Sequence, residues 1–600
     1  MTYNMPLLAY FVVLMHVVVA KTAPPNVVVF LVDDLGYGDL GIQGNETLST
    51  PNIDRIGIEG VRFTHWLSGS SICTPSRAAF MTGRLAQRMG MANSNVNARV
   101  MSPSAPGGLP HEEITLAEKL KEKNYATHMS GKWHLGIGKN GAFLPTAHGF
   151  DEYYGMGVTN VQSCDPTKTI YIQGSLFSFY LSKTWETWIM LALLMSSSAY
   201  VLSKKTSCIF LSLLFVGLIL GVGYYYTATY TLLNQNMCLL YRDKEIVQQP
   251  VNLHNLTQRL TADAEQFIRR EAVANNNFFL FMSYVKVHTA LFANGEFKGK
   301  GGSAGEYGDN IAELDWSIGH ILDTLDELKV GDNTLIWFTS DNGPFLERGL
   351  EGGSSGYVSM ENGEKAWLRG GKGQQWEGGV RVPGLMRWRQ NVKGGRTLSD
   401  AVSTMDIFPT TIGAIERALN ANTALYDSAG LDGRDIYPLF APSRDPADPA
   451  PSDLGKDRLF VHYCGIELAA ARLGNQYKVH WETPKWEKGL NSCPATSVCG
   501  CTGQFIEKHD PPLLYDLLSD PAESNVLTPE NFDGYHAILK QMNSKILEHI
   551  RSMKEAETRQ NQLDIFSPRL FLNQVYPCCN PPACKCDKDF LDMKKREQDE

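Results

Sequence analysis

Cys73, Thr74, Pro75, Ser76 and Arg77 form a run in which a thiol stands four residues ahead of a guanidinium, and Thr82-Gly83-Arg84 follows. Four residues are about one helical turn, so Cys73 and Arg77 are expected on one helix face. Other chemistry-bearing residues sit at the ends of apolar runs. Asp33-Asp34 follows 27–32, His288 closes a run over 278–287, and Asp341-Asn342 follows 335–339. Adjacent aspartates repel unless a cation lies between them, and Asp33, Asp34, Asp341 and Asn342 are all hard oxygen donors. That set suits Ca2+ or Mg2+, not zinc. Lys132 and His134, in Gly131-Lys132-Trp133-His134-Leu135-Gly136, and Lys372, in Gly370-Gly371-Lys372-Gly373, are by residue type two further cations and a base, although a lone Lys or His is usually structural.

Residues so far apart in sequence need a frame to bring them together. The runs 27–32, 278–287 and 335–339 read as buried strands, and helical periodicity over 114–123, 260–274 and 310–328 alternates with them. Strands alternating with helices predict an α/β sheet, in which ligands collect at the carboxyl ends of the strands. The two Asp, the His and the Asp-Asn pair all fall at such ends, which is the reason to assemble them into one site.

The chain has 600 residues, 43% hydrophobic and 20% charged, with a net charge of −9. That is an ordinary globular composition with room for more than one unit, and it leaves no basic footprint for nucleic acid. Residues 1–20 read as a signal peptide: an apolar stretch ends in Val18-Val19-Ala20 without a basic n-region, the alternative being an N-terminal membrane anchor. Twelve cysteines then imply disulfides; the cluster Cys578, Cys579, Cys584 and Cys586 could otherwise be a crude zinc site. Setting aside Cys73 and Cys208 leaves ten that could pair. The sequons at Asn45 and Asn255 fit lumenal exposure and glycosylation.

Two apolar stretches, 185–202 and 208–226, are joined by Ser203-Lys204-Lys205-Thr206-Ser207. Each would span roughly 27 Å as a helix, close to a bilayer core. A transmembrane hairpin over 185–230 is expected, its Lys204-Lys205 tip on the cytosolic side; a buried hydrophobic hairpin is the alternative. Cys164 and Cys238 flank it and are placed to be disulfide-bonded across its base. Beyond residue 442 the composition shifts to Pro, Asp and Ser and then to cysteine-rich segments, which predicts a disulfide-rich C-terminal subdomain over 443–600 after a catalytic domain over 21–442.

The Cys73–Arg77 run with its Thr82-Gly83-Arg84 resembles the signature of type I sulfatases, in particular the steryl-sulfatase-like, membrane-anchored arylsulfatases. Asn124-Tyr125-Ala126-Thr127 followed by Gly131–Gly136 resembles the second pattern of that family, which usually begins Gly-Tyr. The resemblance implies an alkaline-phosphatase-like fold with a large mixed central sheet, a smaller C-terminal subdomain and a membrane hairpin. It implies that a formylglycine-generating enzyme oxidises Cys73 to formylglycine. The hydrated aldehyde is a geminal diol: one oxygen attacks sulfur, and the sulfo-enzyme collapses by expelling sulfate as the aldehyde re-forms. It further implies Ca2+ held by Asp33, Asp34, Asp341 and Asn342 with an oxygen of residue 73 nearby. Lys132 and Lys372 would hold sulfate, Arg77 would neutralise substrate and developing charge, His134 would draw off the diol proton, and His288 would meet the bridging ester oxygen, so that the pocket offers three cations to an anionic substrate. The expected substrate is a small lipophilic aryl or steroid sulfate, met at the lumenal face of the endoplasmic reticulum membrane, with a lysosomal or secreted location as the alternative. The rivals are an arylsulfatase of soluble or carbohydrate esters, a phosphodiester or phosphonate hydrolase on the same scaffold, and a catalytically silent, membrane-anchored binding protein.

Overall fold

The computed structural model describes residues 23–160, Cys164 and 238–553 apart from short gaps (96–98, 104, 360–363, 420–427, 442–452, 487–491 and 494–497), and beyond these only positions 197, 214, 217, 221 and 586–587. Four strands form the centre of an eleven-stranded sheet: β1 (Asn26–Val32), β2 (Ala126–Lys132), β3 (Phe278–Ser283) and β4 (Thr334–Ser340). They run parallel in the order β2-β3-β1-β4. Glu152–Met156 continues the parallel set beyond β2, while Gly384–Arg387 pairs antiparallel with β4 and Leu240–Arg242 antiparallel with Glu152–Met156. The sheet is therefore mixed.

The apolar runs are continuous because both faces of the sheet are covered. Val27, Val29 and Leu31 of β1 pack with Phe279, Phe281 and Trp337 on one side, against Ala78, Phe80 and Met81 of helix α1 (Cys73–Thr82). Val28, Phe30 and Val32 pack on the other side with α2 (Leu256–Ala274) and α3 (Gly305–Glu327), through Leu260, Phe267, Ile318 and Leu322. Parallel strands sandwiched between helices leave one edge of the sheet free to carry ligands, the edge at the strands' carboxyl ends.

Four expected elements have shifted boundaries. The strand expected over 278–287 ends at Ser283; Tyr284, Val285 and Val287 are apolar because the loop that follows is buried in the core. The helix expected over 114–123 is Leu116–Lys121, set by Thr115, whose side chain caps Glu118 N while Glu118 returns the bond, and Ile114 is left exposed. Helices α2 and α3 begin four or five residues earlier than periodicity indicated.

A second, four-stranded antiparallel sheet over Leu459–Cys464, Glu467–Leu473, Tyr477–Pro484 and Ile506–Asp516 packs helix Tyr535–Ser552 over its own small core of Ala471, Val479, Leu514 and Met542. Disulfides join Cys464 to Cys501, Cys493 to Cys499, and Cys164 to Cys238, the last pair with Cα atoms 5.5 Å apart. Cys73 is free and buried. The signal segment, the expected hairpin apart from four single positions, Cys208, Cys578, Cys579 and Cys584 lie outside the described residues, and nothing is described of the Cys586 side chain. Among the described residues no helix is long and apolar enough to cross a membrane. Asn255 is exposed, while the Asn45 amide is engaged: its Nδ2 donates to the Gly38 carbonyl at 2.7 Å.

Candidate active site

The carboxyl ends of the four central strands supply the site. β1 delivers Asp33 and Asp34, β2 delivers Lys132 and His134, the loop after β3 delivers His288, and β4 delivers Asp341 and Asn342. Gly131 lets β2 and β3 approach closely: its φ is +117, and a Cβ there would fall 1.8 Å from the Ser283 carbonyl oxygen. Asp34 and His134 both adopt positive φ, at 60 and 62, a conformation uncommon outside glycine. Both turns direct side chains into the site. Asn124, where the second sulfatase pattern usually has Gly, also has a φ of 62, a conformation that Asn tolerates better than most residues.

Cys73 opens α1 at the floor of this edge, 1% exposed. Its Sγ lies 3.6 Å from Asp33 Oδ1 and 3.9 Å from Asp34 Oδ1. Ligand atoms of Asp33, Asp34, Cys73 and Asp341 all fall within 4.8 Å of one another. One turn along, Arg77 donates Nε to Asp341 Oδ2 at 2.8 Å and Nη1 to Ser283 Oγ at 2.8 Å. Lys132 Nζ pairs with Asp33, and Lys372 Nζ donates to Asp34 Oδ2 at 2.6 Å. His288 Nε2 lies 3.7 Å from the same Asp34 oxygen. Asp33, Asp34, Cys73, Arg77, Lys132, His288, Asp341 and Lys372 thus meet at one place, with three carboxylates matched by three cations, and His134 follows on the turn after Lys132.

The electrostatics follow from burial and this pairing. Burial alone would raise Asp33, yet Lys132, His288, Arg77 and Lys372 together hold its carboxyl well below the usual range. Burial pushes Asp341 up to about 7 despite Arg77, because Asp33 and Asp34 crowd it. Burial, then Lys372, holds His288 down to about 4, and burial with Lys132 and Arg77 holds His134 well below its ordinary value. The Cys73 thiol is pushed up, first by burial, against the pull of Lys132 and Lys372. A thiolate here would add a further negative charge beside two carboxylates, so the unmodified thiol is a poor nucleophile.

Can these residues hold a divalent cation? Asn342 Oδ1 is buried without a hydrogen-bond partner among the described residues, while its Nδ2 donates to Asp34 Oδ1 at 2.8 Å. A buried orphan oxygen beside three converging carboxylates is a donor set that fits a hard cation.

Some contributors carry no sequence signal of their own. Thr74 Oγ1 donates to the His134 carbonyl at 3.0 Å and accepts from Met101 N at 2.9 Å, tying α1 to the His134 turn. Ser283 accepts from Arg77 and donates to the Lys132 carbonyl at 2.6 Å. Thr159 Oγ1 lies 3.4 Å from Asp33 Oδ2. Thr74 lies inside the first signature and Ser283 at a strand end; position alone was the available signal.

Comparison with known proteins gives the family. The sulfatase family profile matches residues 25–416, and a second, the C-terminal region of aryl-sulfatase, matches 455–586. Human steryl-sulfatase is 38% identical, with 95% of each chain covered. Human arylsulfatase H is 35% identical, covering 96% of this chain and 99% of that protein. Among solved structures, the PsFucS1 sulfatase from Pseudoalteromonas sp. is similar with a TM-score of 0.63 and 25% identity, over 89% of this chain and 91% of that one. The chain has the alkaline-phosphatase-like sulfatase fold, and it belongs to the sulfatase family as an enzyme that hydrolyses sulfate esters.

Proposed function

We propose that the chain cleaves lipophilic aryl or steroid sulfate esters with residue 73 as formylglycine beside a bound Ca2+ ion. The observation that carries this reading is the position of Cys73: a buried thiol at a helix start, too basic to attack, facing three carboxylates and three cations. Oxidised to a hydrated aldehyde, residue 73 supplies an oxygen nucleophile in place of a poor thiol. Asp33, Asp34, Asp341 and Asn342 would hold the divalent cation, which would supply positive charge favouring the ionised form of that oxygen.

The chain's own residues do the rest. His134 Nε2 lies 3.1 Å from the Met101 carbonyl, which can only accept, so Nε2 carries the hydrogen. Its Nδ1 is then a lone-pair acceptor, buried and without a hydrogen-bond partner among the described residues, and it takes the proton from the hydroxyl of residue 73. Lys132 and Lys372 turn from Asp33 and Asp34 to the sulfate oxygens and hold the sulfur over residue 73. Arg77 stays on Asp341 and fixes that carboxylate. His288 gives its Nδ1 hydrogen to the Thr289 carbonyl, which aims Nε2 at the cluster. The added negative charge of a bound ester favours the imidazolium, which donates to the bridging oxygen as the ester bond breaks.

The lipophilic substrate is inferred from the steryl-sulfatases among the relatives, at 38% and 36% identity, and from the two apolar stretches within 185–230. With a signal at 1–20, a membrane hairpin there and a disulfide-rich subdomain over 443–600, the catalytic face is placed in the lumen of the endoplasmic reticulum. A formylglycine-generating enzyme is the maturation partner. The test is kcat/KM for a steroid sulfate against a sulfated monosaccharide, on full-length protein in detergent. The steroid ester is expected to lead by about tenfold or more, the scale of apolar pocket discrimination. Equal values contradict the lipophilic reading.

A further inference from the structure

We propose that the C-terminal subdomain positions the sulfate-holding lysine, through a buried charge network centred on Glu377. This deepens the proposed function and rests on its reading of Lys372. Glu377 follows Lys372 by five residues, at the start of the short helix Glu377–Val380. The segment between them folds back on itself: Lys372 N donates to the Pro344 carbonyl at 2.8 Å, Gln374 N to the Gly371 carbonyl at 3.0 Å, and Gly378 N to the Arg369 carbonyl at 2.8 Å. Whatever fixes Glu377 therefore fixes the turn that presents Lys372.

On its own side Glu377 Oε2 has Arg381 Nη1 at 3.7 Å, and the shorter contacts come from the other subdomain. Arg472 Nη1 donates to Glu377 Oε2 at 2.7 Å and Lys478 Nζ to Oε1 at 3.0 Å, with all three side chains fully buried. The backbone of Glu377 is held as well, its N–H donating to Glu523 Oε2 at 2.6 Å. Glu523 is kept in place by His480 Nε2 at 2.7 Å and Lys478 Nζ at 3.2 Å. Around this core Trp376 lies 4.2 Å from the His480 ring, and the Arg369 guanidinium covers Trp376 at 4.1 Å. Trp486 Nε1 donates to Gln374 Oε1 at 3.1 Å, two residues from Lys372. On the other flank Arg99 bridges the Gly373 carbonyl at 3.1 Å and the Cys499 carbonyl at 2.6 Å.

Buried ion networks contribute little net stability, because desolvation offsets their attraction; their best-attested use is to select one geometry. Here the geometry selected is that of a lysine whose ammonium must turn between a carboxylate and a sulfate oxygen. Glu377, Arg472, Lys478 and Glu523 touch neither, so they are positioning residues.

The experiment is a double-mutant cycle read through competitive inhibition by inorganic sulfate on full-length enzyme, alongside kcat and KM. Lys372→Ala is expected to weaken sulfate inhibition about 100-fold, Glu377→Gln about tenfold, and Trp486→Phe, which removes the Gln374 bond while keeping an aromatic ring beside Trp376 and Arg369, about threefold, with Glu377→Asp restoring part of the loss. In the Lys372→Ala background Glu377→Gln and Trp486→Phe are expected to add less than about twofold, the signature of acting through the lysine. If Glu377→Gln does not fold, Trp486→Phe runs the same cycle. Full additivity in the double variants, or unchanged sulfate inhibition in Glu377→Gln and Trp486→Phe while Lys372→Ala loses it, overturns the proposal. Unchanged inhibition in Lys372→Ala overturns the reading of Lys372 and the positioning proposal with it.

Discussion

Lys372 reaches back 338 positions to place its Nζ 2.6 Å from Asp34 Oδ2, and the carboxylate it neutralises is one of those offered to a metal. Lys132 stands to Asp33 in the same way. The cations proposed to hold sulfate and the carboxylates proposed to hold metal are thus each other's partners. A divalent cation held by those carboxylates would offset their charge in place of the lysines and leave the local charge positive, which an ester anion needs.

Metal linkage is the first expected outcome. Ca2+ at about 100 times its dissociation constant should stabilise the fold by about 2.7 kcal/mol, seen as a higher thermal midpoint. The Asp34→Asn, Asp341→Asn double variant should lose that response. A midpoint indifferent to Ca2+ and to chelator in the parent protein contradicts the assigned ligands.

Arg77 is buried against Asp341, its side chain 3% exposed. Removing one partner of a buried pair costs about 3–5 kcal/mol, because the other charge is left without compensation. Arg77→Ala should therefore lower the urea midpoint as well as abolish activity. Arg77→Lys should recover part of the stability and little of the rate, since a single ammonium cannot serve Asp341 and Ser283 in one fixed fork.

A second buried pair lies behind the site on β2. His128 Nε2 meets Asp263 Oδ2 at 2.7 Å, and Arg242 Nη1 holds the other oxygen at 2.6 Å. Burial opposes the charged ring, but Asp263 and Glu152 raise its pKa to about 9. The folded value lies above the ordinary one near 6.5, so this stabilisation is complete below about pH 6.5 and lost as pH rises through 9, on the order of 3 kcal/mol. Urea midpoints at pH 6 and pH 9.5 should fall more in the parent than in His128→Asn. Parallel declines contradict the charged pair.

The Cys164–Cys238 bond closes a loop of 74 residues. In the chain-entropy account its loss costs about 4 kcal/mol when the loop is free. If 185–230 is a membrane hairpin, the bilayer already holds the two ends together, and Cys164→Ser with Cys238→Ser should cost clearly less than about 4 kcal/mol in the full-length protein in bilayer nanodiscs. A loss of about 4 kcal/mol or more there contradicts the hairpin.

Local chemistry was legible in the sequence and long-range pairing was not. The four-residue step from Cys73 to Arg77 obeys helix periodicity, and the strand-end rule placed Asp33, Asp34, Asp341 and Asn342 because apolar runs announce buried strands; His288 lies five residues beyond the end of β3, on the loop. The identity of the partners is another matter. Arg77 with Asp341 and Lys372 with Asp34 depend on strand order, which no local pattern encodes. The end of β3 was misplaced because Tyr284, Val285 and Val287 are apolar for the sake of a buried loop. The Glu377, Arg472 and Lys478 cluster left no trace at all, since isolated charges usually mean a solvated surface and these are fully buried.

The central claim is that residue 73 works as an oxidised cysteine. Its most direct test is mass spectrometry of the peptide spanning residue 73, taken from active enzyme made in a eukaryotic secretory host. Conversion to the aldehyde lowers that peptide's mass by about 18 Da, and the converted fraction should rise in step with specific activity across preparations. Full activity in a preparation whose peptide keeps the mass of the intact thiol contradicts the account.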